Sequence, residues 1–163
     1  MDREPAAVRP ILATMNVVRR AGVADIHELL VLIQEFYALN RHEFHEHRVR
    51  HALVPLLSGD QVGQVWVMDS RPEESTSGYA VVTWGWSPKS GGRDALLDEL
   101  YVRERGAGLG RTLLIQAMAA AVGAGARRMF LETERHNRRV RRFYAGLGFA
   151  TEDSVWMSQS LDP

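Results

Sequence analysis

Residues 105–112 read Arg-Gly-Ala-Gly-Leu-Gly-Arg-Thr, and no other stretch restricts the fold as much. An apolar, β-branched run precedes this octapeptide and a helical pattern follows it, so the chain must turn from strand to helix here. Alternating glycines let successive backbone N–H groups converge and leave room for a bulky anion. The entrance of the following helix adds partial positive charge, and Arg105 and Arg111 add full charges. A pyrophosphate suits such a loop. Three other readings are open on the residues alone. A tight turn can need glycine for steric reasons only. A dinucleotide fold fits the order strand, glycine loop, helix, strand with Glu132, but it asks for GxGxxG where this chain has GxGxG. A P-loop needs a Lys-Ser/Thr pair that is absent.

The rest of the chain gives that loop a context. Asn16–Arg20 is a short β-branched opening strand ended by Gly22. Asp25 stands as an N-cap before Ile26, Leu29, Leu30, Ile33, Phe36 and Tyr37, a three-to-four spacing that predicts a helix to about Leu39. A His-rich link, Arg41–His47, leads to a second helix over about Glu46–Leu57. The period then changes to two: Val62–Met68, Tyr79–Trp86 and Ala95–Val102 are predicted strands, separated by the polar clusters Arg71–Gly78 and Ser87–Arg93. A helix from about Leu109 to Val122 carries small residues on one flank and stops at Gly123 and Gly125. A strand at Arg128–Thr133, a helix at Asn137–Ala145 and a strand at Phe149–Ser158 complete the order. The expectation is an α/β chain of the α+β type, with a mixed sheet and helices on both faces. At 163 residues one domain is expected over 15–163, after a flexible N-terminal extension over 1–14.

Two motifs together carry a family resemblance. Arg105–Gly110 resembles the Arg/Gln-x-x-Gly-x-Gly/Ala signature of the GNAT superfamily of acetyl-CoA-dependent N-acetyltransferases. Downstream, Asn137 through Phe143, Tyr144, Gly148 and Phe149 resembles that family's Asn…Phe-Tyr-x-x-x-Gly-Phe block. The strand Asp98–Val102 resembles the one preceding the signature, although the turn from Val102 to Arg105 is shorter than in many relatives. The resemblance implies a mostly antiparallel central sheet of about six to seven strands. It implies acetyl-CoA as co-substrate, held by Leu100, Tyr101 and Val102, by Arg105, Gly106, Ala107, Gly108, Leu109, Gly110, Arg111 and Thr112, and by Asn137 and Tyr144. It also implies a homodimer formed through the C-terminal strand.

An amine attacks a thioester only when neutral, whereas an alkylamine with pKa ~10 is mostly protonated at neutral pH. A proton acceptor is therefore needed. Asp98 and Glu99 lie mid-strand among apolar neighbours, so strict alternation would send one carboxylate to each face. Each can equally be a paired structural acid, since buried charge must be paired. The resemblance favours Glu99 as the base. It makes Tyr144 the donor that eases departure of the thiolate, beside the plainer reading of a packed aromatic with a satisfied hydroxyl. Asn137 fits a helix N-cap whether or not it also touches the cofactor. Arg138, Arg139, Arg141 and Arg142 form a solvated face or an anion contact.

For the amine pocket the candidates are Phe36, Tyr37, Phe44, Trp84 and Trp86, with ordinary core packing as the alternative. His42, His45, His47 and His51 lack an HExxH pattern and sit among competing charges, so no metal is expected. Lys+Arg and Asp+Glu balance at 20 each, which leaves no global field for nucleic acid or membrane. Cysteine is absent, excluding thiolate nucleophiles and fitting a reducing cytoplasm. The expected function is an N-acetyltransferase acting on a primary amine of a small molecule. A non-catalytic acyl-CoA sensor and a peptide or protein N-acetyltransferase are the alternatives.

Overall fold

A computed structural model describes residues 16–70 and 76–161. The expected extension over 1–14 and residues 71–75 of the expected turn Arg71–Gly78 lie outside them, and Thr76–Gly78 of that turn belongs to a strand. The described chain forms two compact units that meet in sequence at Leu131 and Glu132. In the first, five strands take the order β1 (Val17–Arg20), β2 (Gly63–Asp69), β3 (Thr76–Ser87), β4 (Gly92–Val102) and β5 (Met129–Leu131). All neighbours are antiparallel except β4 and β5. Helices α1 (Ile26–Asn40) and α2 (Glu46–Ser58) lie between β1 and β2 in the chain, and α3 (Leu109–Gly123) lies between β4 and β5. A short 3-10 turn, Val23–Asp25, leads into α1.

Alternation along the strands sorts side chains between the two faces. Val65, Val67, Tyr79 and Val81 pack with Ile26, Leu29, Leu32, Ile33, Leu53 and Leu56 of α1 and α2 in one core. Residues of opposite parity, among them Ala80 and Val82, meet the buried Leu113, Leu114, Ala117 and Ala121 of α3. The small residues of α3 let that helix approach closely, as its sequence predicts. Gly63 shows how tight the other side is: a Cβ there would stand 2.2 Å from the Val82 carbonyl oxygen.

Three features of β4 position the candidate site. Val81 pairs with Glu99 but Val82 pairs with Leu97, so Asp98 is an extra residue in a β-bulge, and the simple alternation expected of Asp98 and Glu99 is broken there. The parallel ladder with β5 ends at Leu97 opposite Leu131, so from Asp98 to Val102 the strand pairs with β3 alone. Its register also continues past the strand end, because the Arg103 N–H donates to the Ser77 carbonyl at 2.9 Å. That carries the register one residue into the short turn toward the glycine loop.

The second unit contains α4 (Arg138–Ala145). Asn137 caps it as expected, its side-chain oxygen accepting from the Val140 N–H at 3.2 Å. The strand expected at Phe149–Ser158 does not form: those residues have no ladder partner, and Val155, Trp156 and Met157 are exposed. Strand propensity records how well a side chain suits a pleated surface, and it cannot supply a partner edge. The sheet therefore has five strands among the described residues, short of the six to seven expected, and the strand expected to carry a dimer is absent from it.

Candidate active site

Gly108 precedes the first residue of α3 with φ +79°, and Gly106 has φ +95°. Both angles lie in the left-handed region, which costs other L-residues about 1–2 kcal/mol. No atom lies within 4 Å of where a Cβ would stand on either glycine. Close packing within the protein therefore does not explain them: their angles shape the turn, and the space above them is open. Helical bonding starts with the Thr112 N–H, which donates to the Gly108 carbonyl at 3.0 Å. The amides of Leu109, Gly110 and Arg111 come before that bond and have no acceptor in the helix. Arg105 and Arg111 flank them, both exposed. Such a cradle has the shape and charge to hold a diphosphate.

Glu99 is half-buried on the α1 face of the sheet. Its Oε1 accepts from the Tyr37 hydroxyl at 2.9 Å and its Oε2 from the Tyr79 hydroxyl at 2.6 Å. Burial pushes its pKa above the usual carboxylate range; the two tyrosine hydrogen bonds and His42 oppose the rise, while Asp98 adds to it. The tyrosines respond in kind: burial first, then the charge of Glu99, raises both well above the ordinary phenol value. Each phenol thus stays protonated and donates, and the carboxylate is the group that titrates. Asp98, on the bulge, is exposed.

Rings surround this carboxylate. Phe36 meets Tyr37, Tyr79 and Tyr101 at centroid distances of 6.3, 6.5 and 5.8 Å. Phe44 and His42 stand edge-on to Tyr37 at 6.2 and 5.9 Å. Tyr101 donates to Glu35, which also holds Arg103 through contacts of 2.8 and 3.0 Å. Arg103 therefore holds the Glu35 carboxyl below its usual range. Of the residues predicted to wall an amine pocket, the structure gathers Phe36, Tyr37 and Phe44 beside Glu99.

It does not bring Trp84 and Trp86 there. They have the parity of Ala80 and Val82 on β3 and so face the α3 side of the sheet, opposite Tyr79. Five and seven residues further along, they are also roughly 17 and 23 Å from Tyr79 at the strand rise. Trp84 donates to the Asp60 carbonyl and lies under the Arg93 guanidinium, and Trp86 is 77% exposed. On that same face a cavity of about 440 Å³, lined by Asp60, Gln64, Trp66, Arg93 and Gln116 among others, contains none of the candidate catalytic, cofactor or substrate residues.

Sequence reasoning missed Tyr79. In an apolar strand it looks like core, and nothing local marks its hydroxyl as a partner of a carboxylate 20 residues away. His45, His47 and His51 are exposed, and the Nε2 of His45 lies 3.3 Å from Glu43. In the second unit, Tyr144 packs against Phe143 and Phe149 at 5.1 and 5.7 Å, and burial pushes its hydroxyl up to about 12. Arg138, Arg139, Arg141 and Arg142 are all exposed.

The family model described as "Acetyltransferase (GNAT) family" matches residues 26–149. Among solved structures, the integron cassette protein from the mobile metagenome of Cole Harbour Salt Marsh is 28% identical. Its TM-score is 0.78, and the match covers 90% of this chain and 91% of that one. A protein of Arthrobacter sp. FB24 provisionally assigned as an acetyltransferase is 26% identical, with a TM-score of 0.77 over 91% and 98% of the two chains. The ribosomal-protein-alanine N-acetyltransferase of Brucella melitensis biovar Abortus 2308 shares the fold at 20% identity and a TM-score of 0.67, over 90% and 100%. No curated protein matches the chain significantly. Among the described residues no helix is long and apolar enough to cross a membrane.

Proposed function

The chain belongs to the GNAT family of acetyltransferases, and from that premise we propose that it moves the acetyl group of acetyl-CoA to a primary amine of a small molecule, by direct attack in a ternary complex. The observation that carries the reading is Glu99. This partly buried carboxylate has neutral donors on both oxygens and a pKa raised toward the range where a general base works at neutral pH. The glycine loop supports the cofactor half, since its open face and unbonded amides suit a diphosphate.

Acetyl-CoA supplies the activated acyl group and a thiol leaving group. Glu99 takes the ammonium proton, directly or through one water, so that the amine becomes nucleophilic. Leu100, Tyr101 and Val102 offer backbone groups on the stretch of β4 that pairs only with β3, where an extended pantetheine arm can add as a short strand. Phe36, Tyr37 and Phe44 exclude water around the amine. By resemblance, Tyr144 protonates the departing thiolate. Its hydroxyl, raised to about 12, stays protonated across the working range.

Acetyl-CoA-dependent release of free thiol, read against a panel of amines, amino acids, polyamines and an alanyl peptide, tests the proposal. Amine-dependent release that falls at least tenfold in Tyr144→Phe is expected. Binding of acetyl-CoA with no turnover on any acceptor would instead identify a sensor, and turnover on the peptide alone would reassign the acceptor.

A further inference from the structure

Tyr79 has no exposed surface at all. Its ring is fixed by Phe36 edge-on and by Tyr101, its cross-strand partner, at 6.1 Å. A phenol buried so completely must find an acceptor, and a neutral acceptor would satisfy it. The chain supplies a carboxylate, which costs far more to bury. That choice suits a structural role poorly, because a structural carboxylate is ordinarily given a cation. The guanidinium of Arg103 is instead occupied by Glu35. A cation on Glu99 would lower its affinity for a proton by about one to three pKa units and weaken it as a base. Phenols orient the carboxylate and offset part of its desolvation without neutralising it.

We propose that Tyr79 and Tyr37 are positioning residues for the reaction, two neutral donors that hold one oxygen of Glu99 each and aim its carboxylate at the acceptor amine. This rests on the reading of Glu99 as the base, and each oxygen keeps a lone pair for substrate or water. The other charged or titratable groups around Glu99 are Asp98, the preceding residue on β4; His42, against the Tyr37 ring; and Tyr101, with Glu35 and Arg103 behind it.

The test is kcat against pH, between about pH 5.5 and 9.5, on the full chain with acetyl-CoA and the best acceptor of the panel. The wild type should show an acid limb where Glu99 loses its proton. In Tyr79→Phe the carboxylate loses a donor that favours its charged form, so the limb should move up by about one pH unit. On the acid limb, turnover at a given pH should then fall by up to about tenfold and recover at alkaline pH, with the KM for acetyl-CoA unchanged. Tyr37→Phe, on the half-buried ring of α1, should move the limb the same way and serves if Tyr79→Phe folds poorly. A uniform loss with the limb unmoved in a folded Tyr variant would overturn the positioning role alone, provided Glu99→Gln is inactive. Full turnover by Glu99→Gln would overturn the base assignment and the clamp with it.

Discussion

Gly108→Ala separates the two jobs of the glycine loop. With φ +79°, alanine there pays about 1–2 kcal/mol of left-handed strain. Nothing stands within 4 Å of the new Cβ, so no steric term is added. For a chain of this length 1 kcal/mol moves Tm by roughly 2–4 °C, which gives an expected loss of about 2–8 °C. The methyl group occupies the space into which the diphosphate would come, at the entrance where the Leu109, Gly110 and Arg111 amides are unbonded. One charge-assisted hydrogen bond lost there is worth about 1.5–3 kcal/mol, a weakening of acetyl-CoA binding by roughly 10- to 150-fold. Gly63→Ala is the control. Its Cβ would meet the Val82 carbonyl at 2.2 Å and a Leu56 methyl at 2.7 Å, so it should cost more stability than Gly108→Ala while the folded fraction binds acetyl-CoA normally. Thermal melts and titration calorimetry read both quantities. A Gly108→Ala protein with lowered Tm and an acetyl-CoA Kd within twofold of wild type would refute the cradle and leave the glycines as turn formers.

Two further predictions concern stability. Asn137→Ala removes the cap of α4, worth about 1 kcal/mol, so hydrogen exchange at Val140 should speed up about fivefold while the amides of β2–β4 are unchanged. Asp25 accepts from Arg19 at 2.8 and 2.9 Å and from the Gly22 N–H at 2.8 Å, and the Arg19 contact above all holds its carboxyl below the ordinary 3.8 despite partial burial. A depressed carboxyl stabilises the fold above its unfolded pKa and loses that contribution as pH falls through the folded value. Arg19 is 41% exposed, so solvent screens the pair, and Asp25→Asn should cost about 1 kcal/mol at pH 7. Urea melts should show the gap to wild type narrowing progressively as pH falls below 3.8; a gap independent of pH across that acid range would mean the loss is not electrostatic.

What the sequence made legible was whatever its local chemistry decides. The stripe Ile26–Tyr37 depends on spacing alone, and it predicts α1 to within a residue of Ile26–Asn40. The glycines at 106 and 108 were readable because the angles they adopt exclude most other residues. Asn137 announced a cap because few side chains make one. The parity of β3 was equally available: no residue of β3 is skipped between Tyr79 and Trp86, so Trp84 and Trp86 share the face of Ala80 and Val82, opposite Tyr79.

The parts that stayed hidden depend on register. Where β4 bulges is decided by its pairing with β3, and the bulge at Asp98 sets Glu99 on the face of Val81, the face that α1 covers. Were Asp98 in regular alternation rather than bulged, Glu99 would share the face of Leu97, beneath α3, with neither Tyr37 nor Tyr79 in reach. The identity of the carboxylate is therefore written in one position, while its chemistry is written in the offset between two strands. Sequence alone could leave Asp98 and Glu99 undecided because neither differs from the other locally. Three-dimensional pairing makes them differ, exposing Asp98 at the bulge and giving Glu99 two phenolic donors.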